Sequence, residues 1–258
     1  MGEQRKNFAK SANRALDIFE FLSSKNGPAK AVEIADALGL AHSSAHQLLT
    51  TMVSGGYLIC LEGVRYFPSP RSARIGGWLS KCYPNIDGLH AIIEEIHDLT
   101  SETVTLSMQS DCVMRIAAIA GEEFRELLSA MGWQVPVFGS IIGGAALADR
   151  PPKTISQLGQ RARRQRVLSR GIDSGSAYLR ELHRFRVKGY ASGLAQAPGA
   201  SPPSWSIAFK LPQEDTLANV VIGLAGPVAR VQNREREIVN IMYRTIRAGL
   251  RDIGGPSL

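Results

Sequence analysis

The sequence has no apolar run long enough to cross a membrane. The longest nearly uncharged apolar stretch, residues 218–229, includes two glycines and a proline and is far shorter than the roughly 20 apolar residues of a spanning helix. The basic N-terminus lacks the apolar segment of a signal peptide, and Lys6 stands where a myristoylation signal has Ser or Thr. We therefore expect a cytoplasmic protein without a membrane segment.

Cysteine is scarce in the 258-residue chain, which contains only Cys60, Cys82 and Cys112 and has no Cys-x-x-Cys spacing. This pattern argues against a disulfide framework and against a structural zinc site. His42 and His46 are four residues apart, but no His-Glu-x-x-His motif or third ligand accompanies them. We expect neither a metal ion nor another cofactor.

The motifs of common enzyme classes are also missing. The chain has no Gly-x-Ser-x-Gly elbow, no Gly-x-Gly-x-x-Gly loop and no Walker A loop. The carboxylate pairs Glu94-Glu95 and Glu122-Glu123 are adjacent in sequence, so their side chains point apart and do not converge on one substrate. We therefore expect a protein that is not an enzyme.

Charge is unevenly distributed along a chain that is basic overall, with a formal net charge of +7. Residues 81–149 hold three basic and ten acidic residues, whereas residues 150–190 hold eleven basic and two acidic ones. A basic protein favours an anionic partner such as a nucleic acid or an acidic small molecule. The block Arg161–Arg170 is consistent with a phosphate contact, a docking surface for the acidic segment or a subunit contact, but its Gly and Ser flanks favour a solvated, mobile loop.

Three apolar stripes with helical spacing occupy the N-terminal part of the chain. They run over residues 12–22, 31–38 and 45–52, with Ser11 as a suitable N-cap of the first helix. Only residues 39–42 separate the second and third stripes, and so short a turn forces two helices into a steep crossing. The pattern predicts a helix-turn-helix.

Two β-rich runs, residues 57–61 and 64–67, follow the third helix and flank Glu62-Gly63. Runs of this kind around a glycine turn predict a hairpin. A hairpin directly after a helix-turn-helix is the wing of a winged helix. Arg65 on this wing is placed to approach a phosphate or the minor groove of DNA.

The outward side of the third helix is polar and uncharged, and its residues are Ser43, Ser44, His46, Gln47, Thr50 and Thr51. No acidic residue occurs between Asp36 and Glu62 that would repel phosphates. Short polar side chains fit the major groove, and Gln47 is suited to bind an adenine edge with two hydrogen bonds. A merely solvated helix face, or a winged-helix module that binds another protein, remains the alternative.

These segments resemble a known family. The runs SANRALDIFEFL, EIADALGLAHSSAHQLLTTMVSGGYL and VRYFPSPRSARIG are similar to the DNA-binding domain of the isocitrate lyase regulator (IclR) family of bacterial transcription factors. The resemblance implies double-stranded operator DNA as the partner and self-association as a dimer or tetramer. Gln47 stands where many members have Arg, and Pro68 replaces a Leu of the wing, so the operator sequence does not transfer from relatives.

The rest of the chain predicts a short linker and a second, larger domain. We expect the winged helix-turn-helix over residues 1–69, a linker helix over 70–83 and an α+β domain over 84–258. Ile75, Trp78 and Leu79 form a helical seam in the linker that packs either on a second copy or on the chain's own domain. Irregularly alternating helices and strands fill the larger domain, and residues 139–148 predict a helix of small residues.

Family resemblance extends into this domain and implies a GAF-like fold that binds a small effector molecule. It rests on the segments GWQVP, SIIGGAALA, KGYA, SIA and GLAGP. Gly144 replaces a family Lys, and the usual acidic residue after KGYA is absent, with Gln196 nearby. An alternative to a sensing domain is therefore a degenerate pocket.

Four residues are candidates for effector binding. Ser140 begins the small-residue helix, where the helix dipole and free N–H groups favour a carboxylate. Trp133 is suited to form an apolar wall, Ser206 offers a hydroxyl from a nearby strand, and Ser107 is a further lining candidate. Each residue also has a purely structural interpretation, as a helix cap or a core side chain. Together the patterns predict a transcription regulator that binds operator DNA and senses a small organic acid, with aromatic acids included.

Overall fold

The chain folds as two units, residues 1–84 and 85–258. The computed structural model describes residues 9–77, 86–124, 126, 128, 132–167, 176–195, 203–212 and 219–252. The N-terminal unit contains α1 (Lys10–Lys25), β1 (Ala29–Lys30), α2 (Ala31–Ala37), α3 (His42–Ser54), β2 (Leu58–Leu61), β3 (Arg65–Pro68) and α4 (Pro70–Gly77).

The three predicted helices of this unit are present and share one core. Ile18 and Leu22 of α1 pack with Ile34 of α2 and Leu49 of α3, and all four are fully or almost fully buried. α1 begins at Lys10 after Ala9, so the prediction that Ser11 is the N-cap is wrong. The α2–α3 turn forms because Gly39 adopts a positive φ of 60°, a conformation that other residues seldom take.

The predicted wing is present as the hairpin of β2 and β3, and β1 adds a third strand that the sequence did not indicate. β1 pairs antiparallel with β3, with Ala29 opposite Tyr66. At the tip, Glu62 and Gly63 have φ values of 52° and 72°, and the Val64 amide donates to the Leu61 carbonyl at 3.1 Å. Two positive φ values are the requirement of a type I′ turn.

A six-stranded antiparallel sheet organises the C-terminal unit, in the order β6-β5-β4-β9-β8-β7. Its elements are α5 (Ile86–Thr100), β4 (Thr103–Ser110), β5 (Val113–Ala120), β6 (Gln134–Pro136), α6 (Ile141–Leu147), α7 (Pro152–Arg164), α8 (Ser176–Lys188), β7 (Ala191–Ala195), β8 (Ser204–Lys210), β9 (Val220–Pro227), α9 (Val228–Val231) and α10 (Glu235–Asp252).

Helices cover both faces of this sheet. α5 and α10 pack on one face, over side chains such as Leu106, Ile207 and Leu224. α6, α7 and α8 cover the other face, where Met114 and Val221 belong to the same apolar cluster as the three helices. The two faces differ because side chains alternate along each strand.

α6 lies unusually close to the sheet. A Cβ added to Gly223 would lie 2.5 Å from Cγ2 of Ile142, and one added to Gly143 would lie 1.9 Å from the Val137 carbonyl oxygen. The small residues predicted for this helix therefore serve close packing. The helix itself covers Ile141–Leu147, within the predicted range of 139–148.

One carboxylate ties α10 to the two strands at the β7 edge. Glu235 in the first turn of α10 accepts hydrogen bonds from Ser192 Oγ at 2.8 Å, Trp205 Nε1 at 3.1 Å and Tyr190 Oη at 3.3 Å. Lys188 Nζ lies 4.0 Å from the same carboxylate.

Several sequence predictions for this unit were incomplete or wrong. β6, β7 and α7 were not predicted. The basic block predicted as a mobile loop is helical at Arg161, Arg163 and Arg164, which form the last turn of α7. Arg170 lies outside the described residues. No helix in the described part of the chain is long and apolar enough to span a bilayer.

Candidate nucleic-acid interface and effector site

The outward side of α3 is open within the N-terminal unit. Ser43, His46, Gln47 and Thr50 are exposed, as is Thr51, while Ser44 is half-buried. The opposite side buries Ala45, Leu49 and Met52 in the core. The apolar stripe therefore orients the helix so that its uncharged polar side faces outward.

Hydrogen bonding distinguishes the residues on this surface. Thr51 Oγ1 donates to the Gln47 carbonyl at 2.8 Å, so its hydroxyl is engaged by its own helix. The side-chain amide of Gln47 has no hydrogen-bond partner among the described residues. It is thus free to pair with a base edge, which requires one donor and one acceptor at the same position.

The predicted wing residue Arg65 is held by an acid at the wing tip. Its Nη2 atom lies 2.6 Å from Oε2 of Glu62, and the two side chains are 42% and 70% exposed. A phosphate has to compete with Glu62 for this guanidinium. The positive φ of Glu62 places the acid directly in the turn that presents the wing.

Other charges of the unit are partly paired. Lys25 Nζ lies 2.5 Å from Oε2 of Glu33, and this hydrogen bond holds the pKa of Glu33 below its usual value. Arg71 of α4, which sequence reasoning missed, is exposed and lies over the Tyr57 ring at 5.0 Å, just after α3 ends. Arg71 is a candidate phosphate contact, and its only sequence signal is its place after the wing.

The four predicted effector residues all have structural contacts. Ser140 caps α6: its Oγ accepts from the Gly143 amide at 3.1 Å and donates to the Pro136 carbonyl at 2.6 Å. Ser206 and Ser107 are buried and donate to the carbonyls of Leu224 and Val221, at 2.9 and 3.0 Å. Trp133 has a φ of 55° and is 36% exposed, and its carbonyl accepts from the Ile116 amide.

The structure does not bring these four residues to one point. Ser107 pairs with Val221 and Ser206 pairs with Ala225, on opposite sides of β9. Four residues along a strand correspond to about 13 Å, so a small acid cannot touch both hydroxyls. Trp133 precedes β6 at the far edge of the sheet order.

Ser206 and the start of α6 are neighbours. Ser206 pairs with Gly193, and a Cβ added to Gly193 would lie 3.1 Å from Cδ1 of Ile141. Ser140 and Ser206 are therefore the two predicted residues that flank one region, between the beginning of α6 and strands β7 and β8. The Ile141 side chain lies in that region, against Gly193 of β7, whereas Ile142 packs on Gly223 of β9.

A separate cleft of about 690 Å³ opens at the other end of α6. Its walls include Ala145 of α6, Phe185 of α8 and Tyr190, with Arg150 and Lys210 among its charged residues. None of the four predicted effector residues lines it. In the described ranges no three His, Cys, Asp or Glu side chains are grouped to hold a metal ion.

Comparison with known families decides the assignment. The IclR helix-turn-helix domain matches residues 11–58, and the C-terminal domain of the bacterial transcriptional regulator IclR matches residues 86–248. The chain belongs to the IclR family. It is a transcriptional regulator with an N-terminal helix-turn-helix DNA-binding domain and a C-terminal effector domain, as the sequence predicted.

Curated IclR-type relatives are distant in sequence. HTH-type transcriptional regulator BhcR of Paracoccus denitrificans is 22% identical over 193 residues, which cover 74% of this chain and 69% of BhcR. Transcriptional repressor IclR of Escherichia coli is 23% identical over 185 residues, covering 70% of this chain and 68% of the repressor.

Solved IclR structures confirm the predicted fold class, a winged helix-turn-helix followed by an α+β domain. The Thermotoga maritima IclR structure has a TM-score of 0.59 at 17% identity and covers 96% of this chain and 100% of its own. An IclR homolog from Microbacterium hydrocarbonoxydans, complexed with 4-hydroxybenzoate, has a TM-score of 0.57 at 16% identity, covering 94% of this chain and 100% of its own.

Proposed function

We propose that this IclR-family regulator binds operator DNA as a dimer, with α3 in the major groove and Arg65 of the wing at the backbone or minor groove. The observation that carries the proposal is the exposed, uncharged side of α3, where the Gln47 amide has no partner among the described residues. The other contacts we propose from this side are Ser43, Ser44, His46, Thr50 and Thr51.

The test begins with selection of a preferred duplex from a random pool. On that duplex, Gln47→Ala should lose about 1–3 kcal/mol of discrimination at one base pair, whereas Arg65→Ala should weaken binding to all sequences alike. Ser23→Ala, an exposed change on α1, is the matched control and should alter neither quantity. Equal losses on selected and random duplexes for Gln47→Ala would contradict the assignment of α3 as the base-reading helix.

We also propose that the C-terminal domain binds a small organic acid, aromatic acids included, where α6 begins beside β7 and β8. Ser140 and Ser206 flank this region, and a related structure holds 4-hydroxybenzoate. Because the Ser206 hydroxyl now donates to Leu224, binding a carboxylate requires that hydroxyl to rotate. Ser107 and Trp133 were predicted as lining residues, but they lie away from this region, and we propose no direct contact between them and the acid.

Thermal denaturation with 4-hydroxybenzoate, benzoate and propionate tests this site. An acid present at 100 times its dissociation constant should stabilise the domain by about 2.7 kcal/mol, or roughly 5–10 °C. Ser206→Ala should abolish most of this shift for any acid that binds, and Ser107→Ala should not. A degenerate pocket predicts no shift with any of the three acids. An acid that binds without changing operator affinity would leave no allosteric coupling to explain.

Self-association is proposed through the linker, residues 70–83. Its described part, α4, exposes Ile75 at 51%; Trp78 and Leu79 lie outside the described residues. Ile75→Asp should lower the dimer fraction in sedimentation experiments if this seam joins two copies.

Because such a regulator acts on chromosomal DNA, we place its activity in the cytoplasm. A winged-helix module that binds protein would instead show no steep loss of duplex binding with salt.

A further inference from the structure

The outer surface of α7 and α8 is strongly basic. Within residues 150–167 and 176–190 the structure describes ten cationic side chains and a single acid, Glu181. We define the basic face as the exposed cations of α7 and α8 together with Arg166, two residues after α7. Its members are Lys153, Arg161, Arg163, Arg164, Arg166, Arg180, Arg184, Arg186 and Lys188.

Packing of the two helices does not depend on these cations. α7 is held by its buried residues Ile155 and Leu158, and α8 by Tyr178, Leu182 and Phe185. The cations occupy the opposite, solvent side of each helix. They are therefore available for a partner without disturbing the core.

Five of the nine cations of the basic face have no partner among the residues that the structure describes. Lys153, Arg164, Arg166, Arg180 and Arg184 make no ion pair or hydrogen bond with the described residues. The other four have neighbours within the protein: Arg161 Nε is 3.5 Å from Asp111, Lys188 Nζ is 4.0 Å from Glu235, Arg186 Nη2 is 3.1 Å from His183 Nδ1, and Arg163 also has a partner.

The spacing of the cations along α8 also destabilises that helix. Arg180, Arg184 and Lys188 follow one another at intervals of four residues, so like charges stack along one side of α8. Each such pair destabilises a helix by roughly 0.2–0.5 kcal/mol. A face that is only solvated usually intersperses charges of both signs, as α10 does where Arg234 pairs with Glu237 at 2.9 Å.

We propose that the basic face binds the backbone of duplex DNA without reading its sequence. It is rich in arginine, whose planar guanidinium matches phosphate with two parallel hydrogen bonds. Among the described residues of α7 and α8, Val187 is the one large apolar side chain that is exposed, whereas an interface with protein usually has an apolar centre. This contact is additional to the proposed reading of operator DNA by α3 and is made by a different domain.

The test compares two triple variants of the full chain. Arg164→Gln/Arg180→Gln/Arg184→Gln removes three unpaired charges from the basic face. The matched control, Arg244→Gln/Arg247→Gln/Arg251→Gln, removes three exposed arginines from α10 on the opposite side of the sheet, none of which has a partner among the described residues. The same change in net charge is thus made at two places.

Binding is measured by fluorescence anisotropy on a random-sequence duplex of about 40 base pairs, from about 50 to about 200 mM salt. Each lost phosphate contact should lower the slope of log K against log salt by about 0.9, so the basic-face triple should lose up to about 2.7 and bind at least tenfold more weakly at low salt. The control should change the slope by less than about 0.5, and lysine at the three basic-face positions should restore it.

A Gln47→Glu background separates this inference from the function proposed for α3, because a carboxylate on α3 should prevent docking in the major groove. The protein should retain salt-sensitive duplex binding there, and the basic-face triple should remove it. Equal losses in the two triples, no loss in either, or no residual binding with Gln47→Glu would overturn the inference. Loss of operator selectivity in Gln47→Ala bears on α3 alone.

Discussion

Removal of Arg230, which pairs with a buried carboxylate, should destabilise the C-terminal domain far more than removal of Arg234, which pairs with an exposed one. Glu102 is completely buried in the turn between α5 and β4, and its carboxylate receives two hydrogen bonds from Arg230, at 2.7 and 2.8 Å. Arg230 also contacts Glu123 at 3.0 Å. The hydrogen bond with Glu102 raises the pKa of Arg230, so the guanidinium stays protonated.

The size of the effect follows from the burial of one partner. Breaking a buried ion pair by deleting one partner costs about 3–5 kcal/mol, because the remaining charge is left without compensation. Arg230 is 48% exposed, and water that enters its place should hold the cost of Arg230→Met to the lower end, about 3 kcal/mol. For a domain of this size that corresponds to a fall of roughly 6–12 °C in melting temperature.

Urea denaturation followed by circular dichroism measures this cost for Arg230→Met, Glu102→Gln and the double variant. The double variant should recover about 1–3 kcal/mol relative to the sum of the single changes, since the neutral amide introduced by Glu102→Gln tolerates the loss of Arg230. Arg234→Met is the control: its pair with Glu237 is exposed and should be worth no more than about 1 kcal/mol. Additive effects in the cycle, or equal losses for the two arginines, would refute the reasoning.

Three further outcomes are expected. Tyr178→Phe should be neutral or stabilising by up to about 1 kcal/mol, because the buried hydroxyl has no partner among the described residues. Burial raises the pKa of Tyr178, so above about pH 10, where the tyrosines of the unfolded chain ionise, the parent should lose more stability than the variant. Burial also raises the pKa of Tyr66 and of Tyr190, so both proteins lose some stability there and the difference between them reports on Tyr178. A variant that is destabilised at pH 7, or equal losses in the two proteins between pH 7 and about pH 10.5, would contradict this. Burial also raises the pKa of Cys112 to about 11, and mass spectrometry after alkylation near pH 8 should find exposed Cys60 modified while Cys112 is protected. Glu62→Gln should free Arg65 and strengthen binding to every duplex by up to about fivefold, with Glu20→Gln on α1 as an inert control; unchanged affinity would mean that Glu62 does not compete with phosphate.

The helices and the wing of the N-terminal unit were predictable because their signals are local. Apolar residues at helical spacing fix the buried side of α3, and that alone determines that Gln47 faces outward. β1 escaped prediction because it is two residues long and exists only through pairing with β3. In the C-terminal unit β7 has the sequence ASGLA, which lacks the β-branched and aromatic residues typical of strands.

The candidate effector site was less predictable, since it depends on contacts between residues far apart in sequence. Ser107 and Ser206 each find a hydrogen-bond partner on β9, and the register of β4 and β8 against β9 decides how far apart they lie. Nothing in the local sequence sets that register. The arginines of the basic block were misassigned for a related reason: the Gly and Ser flanks suggested a loop, but Ile155, Leu158 and Ala162 bury the other side of α7.

The hydrogen bond between Trp205 and the carboxylate of Glu235 makes tryptophan fluorescence a probe of how α10 packs on the sheet. Indole emission responds to a nearby charge, and the Trp205 ring nitrogen donates directly to that carboxylate. With Trp78 and Trp133 replaced by Phe, Trp205 is the one remaining tryptophan. Its emission should report whether α10 stays hydrogen-bonded to the β7 edge of the sheet. An acid that breaks the hydrogen bond between Trp205 and Glu235 should therefore shift the wavelength of tryptophan emission, which can be measured without an added label.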